Sequence, residues 1–118
     1  MDIKLENILI GNDYNLRLCD FGLSRKIGIP LTGIRGSEQY LAPEILEDST
    51  YFYDPANADI FSLGVVLFTI YFGCPPFNVA CYKKDIFFKR FVSEPEKFLR
   101  LHPSTRSYYK KGLIESDF

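Results

Sequence analysis

The chain has 118 residues, 15 acidic and 14 basic side chains and a net charge of −1, with 47% hydrophobic and 25% charged residues. That balance excludes a disordered chain, and it supplies no basic field that would draw nucleic acid or an anionic membrane. The length bounds it at one domain with a modest core, and 11 Phe and 8 Tyr without Trp favour large buried aromatic clusters.

Taken in chain order, the first element is a hairpin. Ile8 to Ile10 and Leu16 to Leu18 are short apolar runs separated by Gly11, Asn12 and Asp13, which mark a turn. Residues 20–36 show no sustained period and hold Gly22, Gly28, Pro30, Gly33 and Gly36, the composition of an adaptable loop. Pro43 suits the first turn of a helix running through Glu47. Residues 48–57 then read as a surface loop. From Asp59 the chain is apolar on nearly every face for about four turns, so the helix is expected inside protein until Pro75-Pro76 stops it. Its apolar stretch, IFSLGVVLFTIYFGC, is fifteen residues long. A bilayer crossing takes about 20, so a core helix is expected and no membrane span. Beyond Tyr82 the pattern is amphipathic, a second helix is expected over Glu96 to Leu101, and residues 102–118 read as the approach to another. His102, the sole histidine, precedes Pro103 and reads as a surface residue. Cys19, Cys74 and Cys81 form no C-x-x-C pair. An odd number without metal-ligand spacing points to reduced thiols in the cytoplasm, with the nucleus as the alternative.

Three short motifs occur in order: D-I-K-L-E-N from Asp2 to Asn7, D-F-G at Asp20-Phe21-Gly22, and A-P-E at Ala42-Pro43-Glu44, the last preceded by G-S-E-Q-Y. Singly each has an ordinary explanation. Asp2 and Asn7 would serve as a turn and a cap, Lys4 as a solvated charge, Asp20 as a turn residue and Gly22 as a left-handed one. In this order, with a hairpin between the first two motifs and an apolar helix after the third, the chain resembles a eukaryotic protein kinase of the serine/threonine type.

The resemblance implies an α+β, mainly α fold: a partial C-terminal kinase lobe over 1–118, with the catalytic loop at 1–7, the activation segment at 20–44 and the central helix at 58–73. It implies transfer of the ATP γ-phosphoryl group to Ser or Thr hydroxyls of a protein substrate, with Mg²⁺. Asp2 corresponds to the residue that accepts the substrate hydroxyl's proton, and Lys4 to the one that neutralises the transferring phosphate. Asn7 and Asp20 correspond to the Mg²⁺ ligands, hard oxygen donors suited to a cation that keeps waters and phosphates in its shell. Cys19 would line the floor of the nucleotide pocket, or be a plain buried thiol. Ser37 matches the hydroxyl that bridges the catalytic Asp and Lys, and Thr32 is a candidate regulatory phosphosite or else a solvated loop hydroxyl. Phe21, Gly22, Glu44 and Asp59 are architectural in the family. Phe21 joins the apolar stack between the lobes, Glu44 pairs with a later Arg, and Asp59 anchors the catalytic-loop backbone. Phe61 stands where Trp is common, and G-C-P-P-F at 73–77 also follows the family pattern.

The 118 residues contain no G-x-G-x-x-G loop and no V-A-I-K lysine, and Met1 stands where the family has Arg. The chain alone is therefore expected to transfer no phosphate and to expose a large apolar patch along its central helix. The alternative reading is a non-catalytic kinase remnant that binds a protein partner.

Overall fold

A computed structural model describes residues 1–48 and 50–112. The end of the expected final helix falls outside these residues. Strands β1 (Ile8–Ile10) and β2 (Leu16–Leu18) pair antiparallel, with Ile8 opposite Leu18 and Ile10 opposite Leu16. Gly11 accepts the turn's Tyr14 N–H, and Asp13 holds Arg17 through two hydrogen bonds of 2.9 and 2.7 Å. The Arg17 guanidinium keeps the Asp13 carboxyl well below the usual carboxylate range.

Five α-helices follow among the described residues. Helix α1 (Pro43–Glu47) has proline in its first turn, as its sequence predicts. The long helix α2 (Pro55–Phe72) begins four residues before the expected Asp59. The Asp54 carboxylate accepts from Ala56 N at 2.9 Å and Pro55 needs no partner for its nitrogen, so the helix starts inside what reads as loop. It ends at Gly73, which takes the left-handed conformation at φ 82° and donates to the Thr69 carbonyl. The stop therefore precedes the proline pair. Helices α3 (Ile86–Ser93), α4 (Pro95–Leu101) and α5 (Arg106–Lys110) complete the described chain.

The core lies on either side of α2. Tyr40, Val65, Val66, Phe77, Ala80 and Phe88 form one buried cluster; Leu41, Ala42, Ile45, Tyr53 and Ala58 form the other. The Ser62 hydroxyl, inside α2, donates to the Tyr40 carbonyl at 2.7 Å and joins the helix to the chain before α1. The expectation that α2 is enclosed on all faces is corrected: only Ala58, Ser62, Val65 and Val66 are buried, while Ile60, Leu67, Ile70 and Tyr71 are more than half exposed. The apolar patch expected along this helix is present. At 18 residues α2 is long and apolar enough to cross a membrane by length and composition.

His102 is the second correction. It is buried at 3% exposure, with ring centroids 4.9 Å from Phe87, 5.0 Å from Phe98 and 5.6 Å from Phe68. Its Nε2 meets the Pro75 carbonyl at 3.1 Å, and its Nδ1 meets Ser104 N at 3.3 Å and Ser104 Oγ at 2.9 Å. A carbonyl only accepts and a backbone N–H only donates, so this geometry calls for the neutral ring with the proton on Nε2. Burial lowers the His102 pKa below the ordinary histidine value. The unfolded chain then binds that proton more readily than the folded one. The stabilisation is whole above the unfolded value of about 6.5 and is lost as pH falls through it toward the folded value. The urea midpoint is expected to be lower at pH 5.5 than at pH 7.5; equal midpoints would contradict this role.

Candidate active site

The N-terminal loop, the hairpin and the residues before α1 meet at one place. Lys4 Nζ lies 3.1 Å from Asp2 Oδ2 and donates to Ser37 Oγ at 2.8 Å, while Ser37 N donates to Asp2 Oδ1 at 3.2 Å. These three contacts close a ring across 35 residues of sequence. The Lys4 and Asp2 side chains are 24% and 13% exposed, so the pair is sheltered without being cut off from solvent. Hydrogen bonding and charge from Asp2 raise the Lys4 pKa above the ordinary lysine value, with smaller contributions from Glu6 and Asp20. Lys4 is thereby held as a cation.

The hairpin returns the chain to the N-terminal loop. Cys19 N donates to the Asn7 carbonyl at 2.9 Å, one step beyond the Ile8–Leu18 pair, so Asp20 follows directly after the residue facing Asn7. Asn7 is buried and donates Nδ2 to the Asp2 carbonyl at 2.8 Å. That bond commits the amide nitrogen and leaves the amide oxygen as the group able to ligate a cation. Asp20 takes the left-handed conformation at φ 61°, which is uncommon for a residue with a side chain. Its Oδ1 accepts from Gly22 N at 3.3 Å. Gly22 itself does not have positive φ; the left-handed residue of D-F-G is the aspartate.

Among the described residues no three His, Cys, Asp or Glu side chains gather to hold a metal. The donors here are one amide oxygen and one carboxylate. Such a pair fits Mg²⁺, which fills its shell with water and phosphate oxygens, and does not fit a closed structural zinc site.

Supporting residues come from further along the chain. The Asp59 carboxylate, in the first turns of α2, accepts from the Met1 main-chain nitrogen at 3.0 and 3.3 Å and so ties the start of the loop to the helix. Gly36 was not singled out as a site residue by its sequence context. It has φ 111°, and a Cβ there would stand 3.1 Å from Leu41 Cδ2 and 3.4 Å from Asp2 Oδ1. Its place directly before Ser37 was the available signal. Thr32 is half-buried. Phe21 and Glu44 are exposed, and among the described residues no basic side chain pairs with Glu44. Cys19 is half-buried with a free thiol.

A sequence model of the protein kinase domain matches residues 1–116. The chain belongs to the protein kinase family. It is 44% identical over 119 residues to the serine/threonine-protein kinase RUNKEL of Arabidopsis thaliana, and 32% identical over 121 residues to the serine/threonine-protein kinase TIO of the same plant. It is also 32% identical over 119 residues to the serine/threonine-protein kinase fused of Drosophila melanogaster. Each match covers 98% of this chain and between 8% and 14% of the relative. The match includes α2, whose apolar length is therefore that of a helix within a kinase domain.

Proposed function

We propose that the chain carries the catalytic and metal-side half of a protein serine/threonine kinase site, moving the γ-phosphoryl group of ATP to Ser or Thr hydroxyls of a protein. The observation that supports this most is the closed ring of Asp2, Lys4 and Ser37. Asp2 is the acceptor for the hydroxyl proton as the substrate oxygen bonds to phosphorus and ADP leaves. Both Asp2 oxygens already hold one hydrogen bond each and keep a further lone pair for that proton. Lys4 supplies positive charge where the phosphoryl oxygens pass, which is most of what such a transfer asks of a protein. Ser37 fixes Asp2 and Lys4 relative to each other. Asn7 and Asp20 would hold Mg²⁺, which when bound neutralises phosphate charge, and Cys19 would line the pocket floor beside them. Thr32 is proposed as a regulatory phosphosite. Three free cysteines suit a reducing compartment, the cytoplasm or nucleus.

A second reading, a kinase-like binding module, draws on the exposed apolar face of α2. The two separate in one experiment. The chain is joined to a glycine-rich nucleotide-binding lobe taken from an active serine/threonine kinase and given [γ-³²P]ATP with Ser, Thr and Tyr peptides. Label on the Ser and Thr peptides is expected, and none from the 118 residues alone. A joined, folded protein that labels no peptide would leave the binding module as the better reading.

A further inference from the structure

Residues 20–36 run from the hairpin to Ser37 with few attachments. Their other hydrogen bonds among the described residues are local: Gly22 N to Asp20, Ser24 N to Phe21 O, and Arg25 to the Gly22 and Ser24 carbonyls. Every hydrogen bond that joins this stretch to a distant part of the described chain goes to one residue, Tyr53. Leu31 N donates to the Tyr53 carbonyl at 3.0 Å, and Tyr53 N donates to the Leu31 carbonyl at 2.8 Å, closing an antiparallel bridge. The Tyr53 hydroxyl donates to the Gly33 carbonyl at 3.4 Å.

The tyrosine is itself well held. Its ring is buried in the cluster of Leu41, Ala42, Ile45 and Ala58, against which Leu31 also packs. Leu41 and Ala42 lie just beyond Ser37, so both ends of the stretch that delivers Ser37 rest on the same ring. Gly33 at φ 81° and Gly36 at φ 111° make the two turns between the tether and Ser37.

We propose that Tyr53 is a positioning residue for the phosphoryl-transfer site: it pins residues 31–33 and thereby sets Ser37 against Asp2 and Lys4. The assignment rests on the kinase reading for its purpose, but not for its test. An aromatic ring with one polar tip suits the task, because the ring is anchored in apolar surroundings while the hydroxyl reaches a main-chain carbonyl.

The test is amide hydrogen exchange and NMR on the 118-residue chain, which needs neither ATP nor activity. Tyr53→Phe keeps the ring and the main-chain bridge and removes the contact to Gly33. It is expected to speed Leu31 amide exchange about threefold, the worth of one weak hydrogen bond, with Val66 in α2 unchanged. Tyr53→Ala is expected to speed Leu31 exchange by at least about tenfold relative to Val66, a local opening. The Ser37 amide, bonded to Asp2 in the wild type, should also exchange at least about tenfold faster relative to Val66 in Tyr53→Ala. Leu31 and Val66 accelerating equally would make Tyr53 an ordinary core residue and overturn the proposal. A Ser37 amide whose exchange relative to Val66 is unchanged in Tyr53→Ala would overturn it too. Should Tyr53→Ala fail to fold, Tyr53→Phe decides: an unchanged ratio of Leu31 to Val66 exchange rejects the pin.

Discussion

Asp2→Asn, in the chain joined to a nucleotide-binding lobe, is expected to lower kcat for peptide phosphorylation by about 10²–10⁴, the range for losing a positioned general base. The substitution is nearly isosteric. An Asn Oδ1 still accepts from Ser37 N, so the local backbone is kept, while the negative charge beside Lys4 and the proton acceptor both go. The Lys4 pKa should fall back toward its ordinary value once its main cause is removed. The KM for ATP is expected to change little, because the role proposed for Asp2 is at the hydroxyl and not at the nucleotide. A loss confined to KM would mean that Asp2 helps to bind and does not act on the proton. Lys4→Met should also lower kcat. Combining the two should cost less than the sum of the separate losses, because both belong to one ring.

The largest stability effect is expected at Phe77. Its ring stacks on Phe61 at 6.1 Å and stands edge-on to Phe88 at 5.0 Å, with Phe91 at 5.9 Å, and the residue is 4% exposed. Truncating a buried Phe to Ala costs about 3–5 kcal/mol through lost burial and the cavity left behind. A domain's whole stability is about 5–15 kcal/mol, so Phe77→Ala should remove about a fifth of it or more. Tyr14, 89% exposed in the hairpin turn, is the control. Tyr14→Ala should stay within about 0.5 kcal/mol. Urea unfolding followed by circular dichroism reads both, and a Phe77→Ala midpoint equal to wild type would contradict the placement of the core.

Much of this site was legible because its signals are local. D-x-K-x-x-N, D-F-G and A-P-E each sit within a few residues, and the Gly-Asn-Asp turn between two apolar runs was enough to bring Asp20 back to Asn7. The start of α2 was also written locally, as Asp54 followed by Pro55, but the strong apolar run from Asp59 drew the boundary inward. The remaining differences are tertiary. His102 is buried because Phe68, Phe87 and Phe98 close over it from three helices, and a His-Pro pair carries no trace of that. Tyr53 meets Leu31 across 22 residues of sequence through main-chain atoms, which no side-chain pattern reports. The sides of α2 are uniformly apolar, so its sequence does not say which of them the described chain covers.

The most direct test of the central claim is the identity of the labelled amino acid. The joined protein is incubated with [γ-³²P]ATP, Mg²⁺ and a peptide holding Ser, Thr and Tyr, and the product is hydrolysed and separated. The ring of Asp2, Lys4 and Ser37 predicts phosphoserine and phosphothreonine from the wild type and almost none from Asp2→Asn. Equal labelling by the two proteins, or label on tyrosine alone, would contradict it.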